Sequence, residues 1–148
     1  MAVFNKILIV CVGNICRSPM AENLLRAALA SSDIQVSSAG LAALHRHPLE
    51  ATASRVLEEH GHAFQPHQAR QLTSGAVSEA DLILVMEQWQ IEEVLKLAPV
   101  ARGKVFLLGK WQCNREIKDP YRQGKPAFLQ AYGLIEEATD AWAQLLAG

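Results

Sequence analysis

Three stretches of this chain are apolar at every position: residues 7–10 (Ile-Leu-Ile-Val), 82–85 (Leu-Ile-Leu-Val) and 105–108 (Val-Phe-Leu-Leu). A strand with one face in water alternates apolar and polar residues. Unbroken runs of four therefore predict strands covered on both faces, the condition of a parallel sheet lying between helices. The intervening segments can supply those helices. Met20, Leu24 and Ala28, with Ala21, Leu25 and Leu29 beside them, form an apolar stripe at helical period, and Ser18 with Pro19 reads as its start, Ser18 capping and Pro19 in the first helical position. A second helix is expected from about Pro48, with Leu49, Ala53, Val56, Leu57 and His60 inward and Gly61 ending it in the left-handed conformation. Ile91, Val94, Leu95 and Ala98 mark a third, closed by Pro99. A last helix from Pro126 carries Phe128, Tyr132, Ile135, Thr139, Trp142 and Leu146 inward. Ile34 and Val36 suggest one more short strand, ended by a tight bend over residues 37–40.

Strands alternating with helices imply right-handed crossovers, and so an α/β three-layer sandwich: a central four-stranded parallel sheet flanked by helices. At 148 residues the chain is sized for one domain, expected to span residues 1–148. Half of the residues are hydrophobic and the formal net charge is −1. That balance argues against a protein that coats nucleic acid or an acidic membrane, and any anion site must be local. Three cysteines, no secretory signal and no spanning run predict a reducing, cytoplasmic setting.

Ligands of such sheets bind beyond the carboxyl ends of the strands. Two loops leave from that edge. The first, Cys11-Val12-Gly13-Asn14-Ile15-Cys16-Arg17-Ser18-Pro19, joins the first strand directly to a helix N-terminus. The amides of a first helical turn lack intrahelical partners and carry the positive end of the dipole, so a loop curled there can cradle an anion. Gly13 and Asn14 tolerate the left-handed conformations that let successive N–H groups converge. At the mouth of the cradle, helix terminus and guanidinium would favour the Cys11 thiolate, a nucleophile that needs no separate base. Arg17 can hold two phosphoryl oxygens at once, and the Ser18 hydroxyl can hydrogen-bond the sulfur as it departs. The loop lacks the Gly-Lys-Ser/Thr ending of a nucleotide-binding loop. The second loop, about seventeen residues after the fourth strand and longer than most functionless connections, carries Asp119, Pro120 and Tyr121.

Cys11 to Pro19, Ser38-Ala39-Gly40, His67-x-Ala69-Arg70 and Asp119-Pro120-Tyr121 together resemble the low-molecular-weight protein tyrosine phosphatases over essentially the whole chain. The resemblance implies a phosphotyrosine phosphatase I-like fold with flavodoxin- or Rossmann-like winding, and hydrolysis of phosphotyrosine through a cysteinyl-phosphate on Cys11. It implies Arg17 as phosphate clamp, residues 12–18 as the phosphate-binding loop, and Asp119 as the acid for the phenolate and then the base for water. By the same resemblance Asn14, Ser18, Ser38 and His67 support the loop, Leu41 and Tyr121 wall the aryl slot, and Cys16 is a redox partner for Cys11. Neither metal nor cofactor is implied; the histidine pairs at 45 and 47 and at 60 and 62 lack a thiol or carboxylate at zinc-site spacing. Finer features resemble the bacterial branch that opposes a membrane-associated tyrosine autokinase in exopolysaccharide or capsule production, working as a monomer or weak dimer. Cys113 has no assigned role. Two other readings remain open at this level. An arsenate reductase on the same fold would need a further relay pair of cysteines, and a non-hydrolytic phosphocarrier would have no use for Asp119.

Overall fold

The computed structural model describes residues 4–147; residues 1–3 and 148 of the expected domain lie outside that range. Four strands, β1 (Lys6–Cys11), β2 (Gln35–Gly40), β3 (Leu82–Val85) and β4 (Val105–Leu107), form a parallel sheet in the order β2-β1-β3-β4. Five helices accompany them: α1 (Arg17–Ala28), α2 (Ala51–Glu59), α3 (Ser74–Glu79), α4 (Gln88–Leu97) and α5 (Lys125–Ala147).

Strand periodicity sorts the core into two layers. Ile7, Ile9, Leu82 and Leu84 point to one side and pack with α1, α2 and α5, where Met20, Leu25, Leu57, Phe128 and Ile135 are buried. Leu8, Val10, Ile83 and Val85 point to the other side and meet Val77 of α3, Val94 of α4, and Val105 and Leu107 of β4. Both faces of β1 and β3 are thus covered, as unbroken apolar runs require. The chain turns from β2 on one side of β1 to β3 on the other, so the loop leaving β1 sits at the point where the winding reverses.

Several local expectations are corrected. Helix α1 begins at Arg17 with Cys16 as its N-cap residue, and no side chain caps it. Ser18 is therefore inside the first turn, and its hydroxyl is committed elsewhere, as described below. Residues 37–40 are not a bend: β2 runs through Gly40, paired with β1 from Lys6↔Gln35 to Cys11↔Gly40. Helix α2 starts at Ala51, three residues after Pro48, because the Glu50 carboxylate accepts from the amides of Thr52 and Ala53. His60 is exposed rather than inward; it follows the helix end and stacks on Tyr132 at 4.1 Å. Gly61 does adopt φ +78°. Helix α3 went unforeseen.

Candidate active site

The loop from Cys11 to Cys16 is held from outside by its carbonyls. Those of Cys11, Val12 and Gly13 accept from the amides of Leu41, Ala42 and Leu44, that of Ile15 from Glu50, and that of Cys16 from Met20, at 2.9 to 3.1 Å. The sixth, that of Asn14, bonds the Nε2 of His67 at 2.6 Å. With six consecutive carbonyls turned outward, the opposite ends of the peptide planes face inward. Of the amides from Val12 to Ser18, only that of Asn14 finds an acceptor among the described residues, the Cys11 sulfur at 3.3 Å. The result is a ring of donors at a helix N-terminus, closed around a sulfur, which suits a tetrahedral anion.

One residue of the ring carries the backbone reversal. Asn14 has φ +59°, whereas Gly13 is not in the left-handed region and has room for a Cβ. Asn14 is fully buried, and its side chain is saturated: its Nδ2 donates to the Oγ of Ser18 at 2.7 Å and of Ser38 at 3.0 Å, and its Oδ1 accepts from the Arg70 amide at 3.0 Å. Ser38 donates in turn to Glu22, which pairs with Arg26. A left-handed non-glycine residue is strained, and this network over-determines it. Gly40 is required for a different reason. A Cβ there would lie 2.5 Å from the Val12 carbonyl and 3.1 Å from Asn14, so only glycine lets β2 pass directly beneath the loop.

Arg17 is a buried cation, 1% exposed, and an unpaired charge at that depth would cost several kcal/mol. Its Nη1 meets the Glu87 carboxylate and the Ile117 carbonyl, each at 2.7 Å. Nη2 lies 3.7 Å from Asp119 Oδ2, and Nε has no partner among the described residues. One edge of the guanidinium is thus anchored, and the other is available for a bidentate ligand.

Cys11 and Arg17 open into a cavity of about 150 Å³ that is also lined by Ile15, Cys16, Ala42, Leu44, Asp119 and Tyr121. The Asp119 side chain is 44% exposed, and its Oδ1 accepts from the Tyr121 amide at 3.0 Å, a turn that aims the other oxygen toward Arg17. Arg122 stacks over the Tyr121 ring, 5.1 Å from its centroid. The expected second wall is corrected. Leu41 packs against the core on the α3 and α4 side of the sheet, because it continues the alternation of β2, and the apolar wall facing Tyr121 comes from Ala42 and Leu44 instead.

The sequence signature of the low molecular weight phosphotyrosine protein phosphatases matches residues 6–148. The chain belongs to that family. It is 46% identical over 143 residues to the low molecular weight protein-tyrosine-phosphatase Etp of Escherichia coli K12, covering 97% of this chain and 95% of Etp. It is 45% identical over 144 residues to the probable phosphatase AmsI of Erwinia amylovora, covering 97% and 99%. The solved structure of Vibrio vulnificus Wzb in complex with benzylphosphonate superposes with a TM-score of 0.92 at 49% identity, over 97% of this chain and 99% of that one. The protein is accordingly a protein-tyrosine phosphatase of the branch containing Etp, AmsI and Wzb.

Cys11 and Cys16 are both free, buried thiols. Burial, then the carboxylate of Asp119, pushes the Cys16 thiol far above its ordinary range, so it keeps its proton. Cys113 is exposed in a left-handed turn with no partner among the described residues. No cluster of three or more His, Cys, Asp or Glu residues is placed to hold a metal ion among the described residues: His62 bonds the Tyr132 hydroxyl at 2.7 Å, and His47 bonds the Pro48 carbonyl. No helix among the described residues is long and apolar enough to cross a membrane. Sequence reasoning missed Glu87, the anchor of Arg17, and Glu22, the end of the Asn14 network. A carboxylate two residues beyond the β3 run, on the sheet edge where the loops converge, was the available signal for Glu87.

Proposed function

We propose that this protein hydrolyses phosphotyrosine in two in-line displacements at phosphorus. The Cys11 sulfur attacks, the bond from phosphorus to the tyrosine oxygen breaks, and Asp119 delivers a proton so that the leaving group departs as a phenol. Water then attacks the phosphocysteine, Asp119 takes its proton, and the sulfur leaves with its charge eased by the Ser18 hydroxyl at 2.9 Å. The inward amides and Arg17 hold the three equatorial oxygens, most strongly as charge gathers on them in the transition state.

The observation that carries this reading is the orphaned Nε of a buried arginine beside a ring of inward amides. Such a site suits an anion, and the Cys11 sulfur lies within the ring, facing the phosphorus that a bound phosphate ester would bring. Asn14, Ser18, Ser38 and His67 fix the ring, Tyr121 with Ala42 and Leu44 guides the ring of the substrate, and the depth of the slot disfavours the short phosphoserine. Asp119 speaks against a mere phosphocarrier, and Cys113, standing alone outside the loop, speaks against an arsenate reductase, whose relay needs a further pair of cysteines. Cys16 is proposed as a resolving thiol: if peroxide converts Cys11 to a sulfenic acid, condensation with the Cys16 thiol would expel water and form a reducible disulfide.

As physiological substrate we propose a tyrosine-phosphorylated protein, in line with its relatives' names, and specifically a membrane-associated bacterial tyrosine autokinase of exopolysaccharide or capsule production, met by a cytoplasmic monomer or weak dimer. The test is turnover of an aryl phosphate by wild type and by Cys11→Ser. Hydrolysis that survives a chelator and is lost in the variant supports the mechanism. Arsenate-dependent thiol oxidation without phosphate release would replace it with the reductase.

A further inference from the structure

A second, larger concavity lies on the far side of Asp119. It has a volume of about 520 Å³ and runs between the 115–123 segment and α5, with Lys118, Asp119 and Pro120 on one bank and Ala127, Gln130 and Leu134 on the other. Asp119 lines both this groove and the slot above Cys11, so a chain whose aryl phosphate enters the slot can continue across the Asp119-Pro120 ridge without leaving the protein surface. The slot accepts a side chain. The groove, in the size range that buries a drug-sized ligand, has room for side chains next to that one.

Its chemistry is selective. Pro120, Ala127 and Leu134, with Ala131 between them, offer an apolar floor, and the side-chain amides of Gln123 and Gln130 can both donate to and accept from a peptide backbone. Its other charges are engaged: Arg115 pairs with Glu137 at 2.9 Å, Glu116 accepts from the Gln88 amide at 2.7 Å, and Asp119 faces Arg17 and the Tyr121 amide. Lys118 is exposed and has no ion pair among the described residues. Lys118 is thus the one lining cation with no ion pair among the described residues, beside an apolar floor; Glu116 keeps its charge but is turned onto the Gln88 amide at the N-terminus of α4.

Resting on the phosphatase reading, we infer that this groove is the subsite for the polypeptide flanking the phosphotyrosine, and that it favours a substrate with acidic and aliphatic side chains next to that residue. The experiment compares wild type, Lys118→Glu and Gln130→Trp on three substrates: phenyl phosphate, a phosphotyrosyl peptide flanked by Glu and Leu, and the same peptide with Gln for Glu. For phenyl phosphate all three proteins are expected to agree within about twofold. Lys118→Glu is expected to lower kcat/KM for the acidic peptide about fivefold, mainly through KM, and to remove the preference over the Gln peptide. Gln130→Trp, which fills the groove, lowers both peptides. Peptide rates that do not change, or that fall in parallel with phenyl phosphate, overturn the subsite and leave the phosphatase standing. Wild type that hydrolyses none of the three overturns the underlying reading, and the subsite with it.

Discussion

The two loops that meet over the slot are built in opposite ways. The loop after β1 is fixed at every carbonyl from Cys11 to Cys16, and its one left-handed residue is buried and fully hydrogen-bonded. The loop after β4 is tied down chiefly at Ile117, whose amide donates to the Met86 carbonyl at 3.0 Å and whose carbonyl accepts from Arg17 at 2.7 Å, and at the buried Pro120, while the Asp119 side chain is close to half exposed. The difference follows the chemistry asked of each. Electrostatic stabilisation of a transition state works through donors that need not reorganise, so it belongs on the rigid loop. A proton donor must reach a leaving group that differs between substrates and must then serve a water, so it can sit on a looser one.

Substitutions in the two loops should therefore fail differently. Among substitutions that keep the nucleophile, the largest expected effect comes from the looser loop: Asp119→Asn should lower kcat on phenolic substrates by about a hundred- to ten-thousandfold, and by less when the leaving group is already a weak base. Because that carboxylate is close to half exposed and 3.7 Å from Arg17, Tm should move little. Next is Gly40→Ala, where a methyl group pressed on the Val12 carbonyl should cost about 1–3 kcal/mol. It should also lower kcat/KM by about a hundredfold by spoiling the amide ring, with circular dichroism confirming that the fold persists. A variant that loses stability alone would mean the ring is less critical than its bonding implies. Glu87→Gln is milder; it keeps a hydrogen bond to Arg17 but removes the charge, so a loss of about tenfold in kcat/KM and weaker phosphate inhibition are expected together.

The smallest effect concerns pH. In the folded protein Cys16 holds its proton well above its ordinary range, whereas in the unfolded chain it ionises near pH 8.5. Its raised folded value means that the stability it contributes is complete below the unfolded pKa and is lost as pH rises above it, at up to about 1.4 kcal/mol per pH unit. Denaturant titrations between pH 8 and 10 should show that slope in wild type and a shallower one in Cys16→Ala.

Much of this was legible in the residues. The unbroken apolar runs gave the sheet and its two covered faces, because burial on both sides leaves no other composition. Strand-loop-helix order with Cys11 and Arg17 gave the anion cradle, because only a helix start presents free amides. What escaped was set by tertiary context. Ser18 looked like a cap, but its hydroxyl is taken by Cys11 and Asn14, and local pattern cannot weigh a partner brought by folding. Gly13 and Asn14 both qualified as left-handed residues, and only Asn14 takes that role, its side chain held by three hydrogen bonds that local pattern cannot show. Leu41 was one position out of phase with the slot, a distinction set by the strand's alternation after it extended to Gly40. Helix α3 spans six residues with one buried side chain, Val77, too short for a period to show; the Thr73 hydroxyl bonding the Ala76 amide at its start was the only sequence cue.

The account rests on phosphorus becoming bonded to the Cys11 sulfur. Rapid acid quench during turnover of a radiolabelled phosphotyrosyl peptide, followed by peptide mapping, tests this directly. Label should appear on the fragment containing Cys11, accumulate in Asp119→Asn when the leaving group is good enough for the first step to proceed, and be absent from Cys11→Ser. Steady turnover by wild type with no label on that fragment at any time would contradict it.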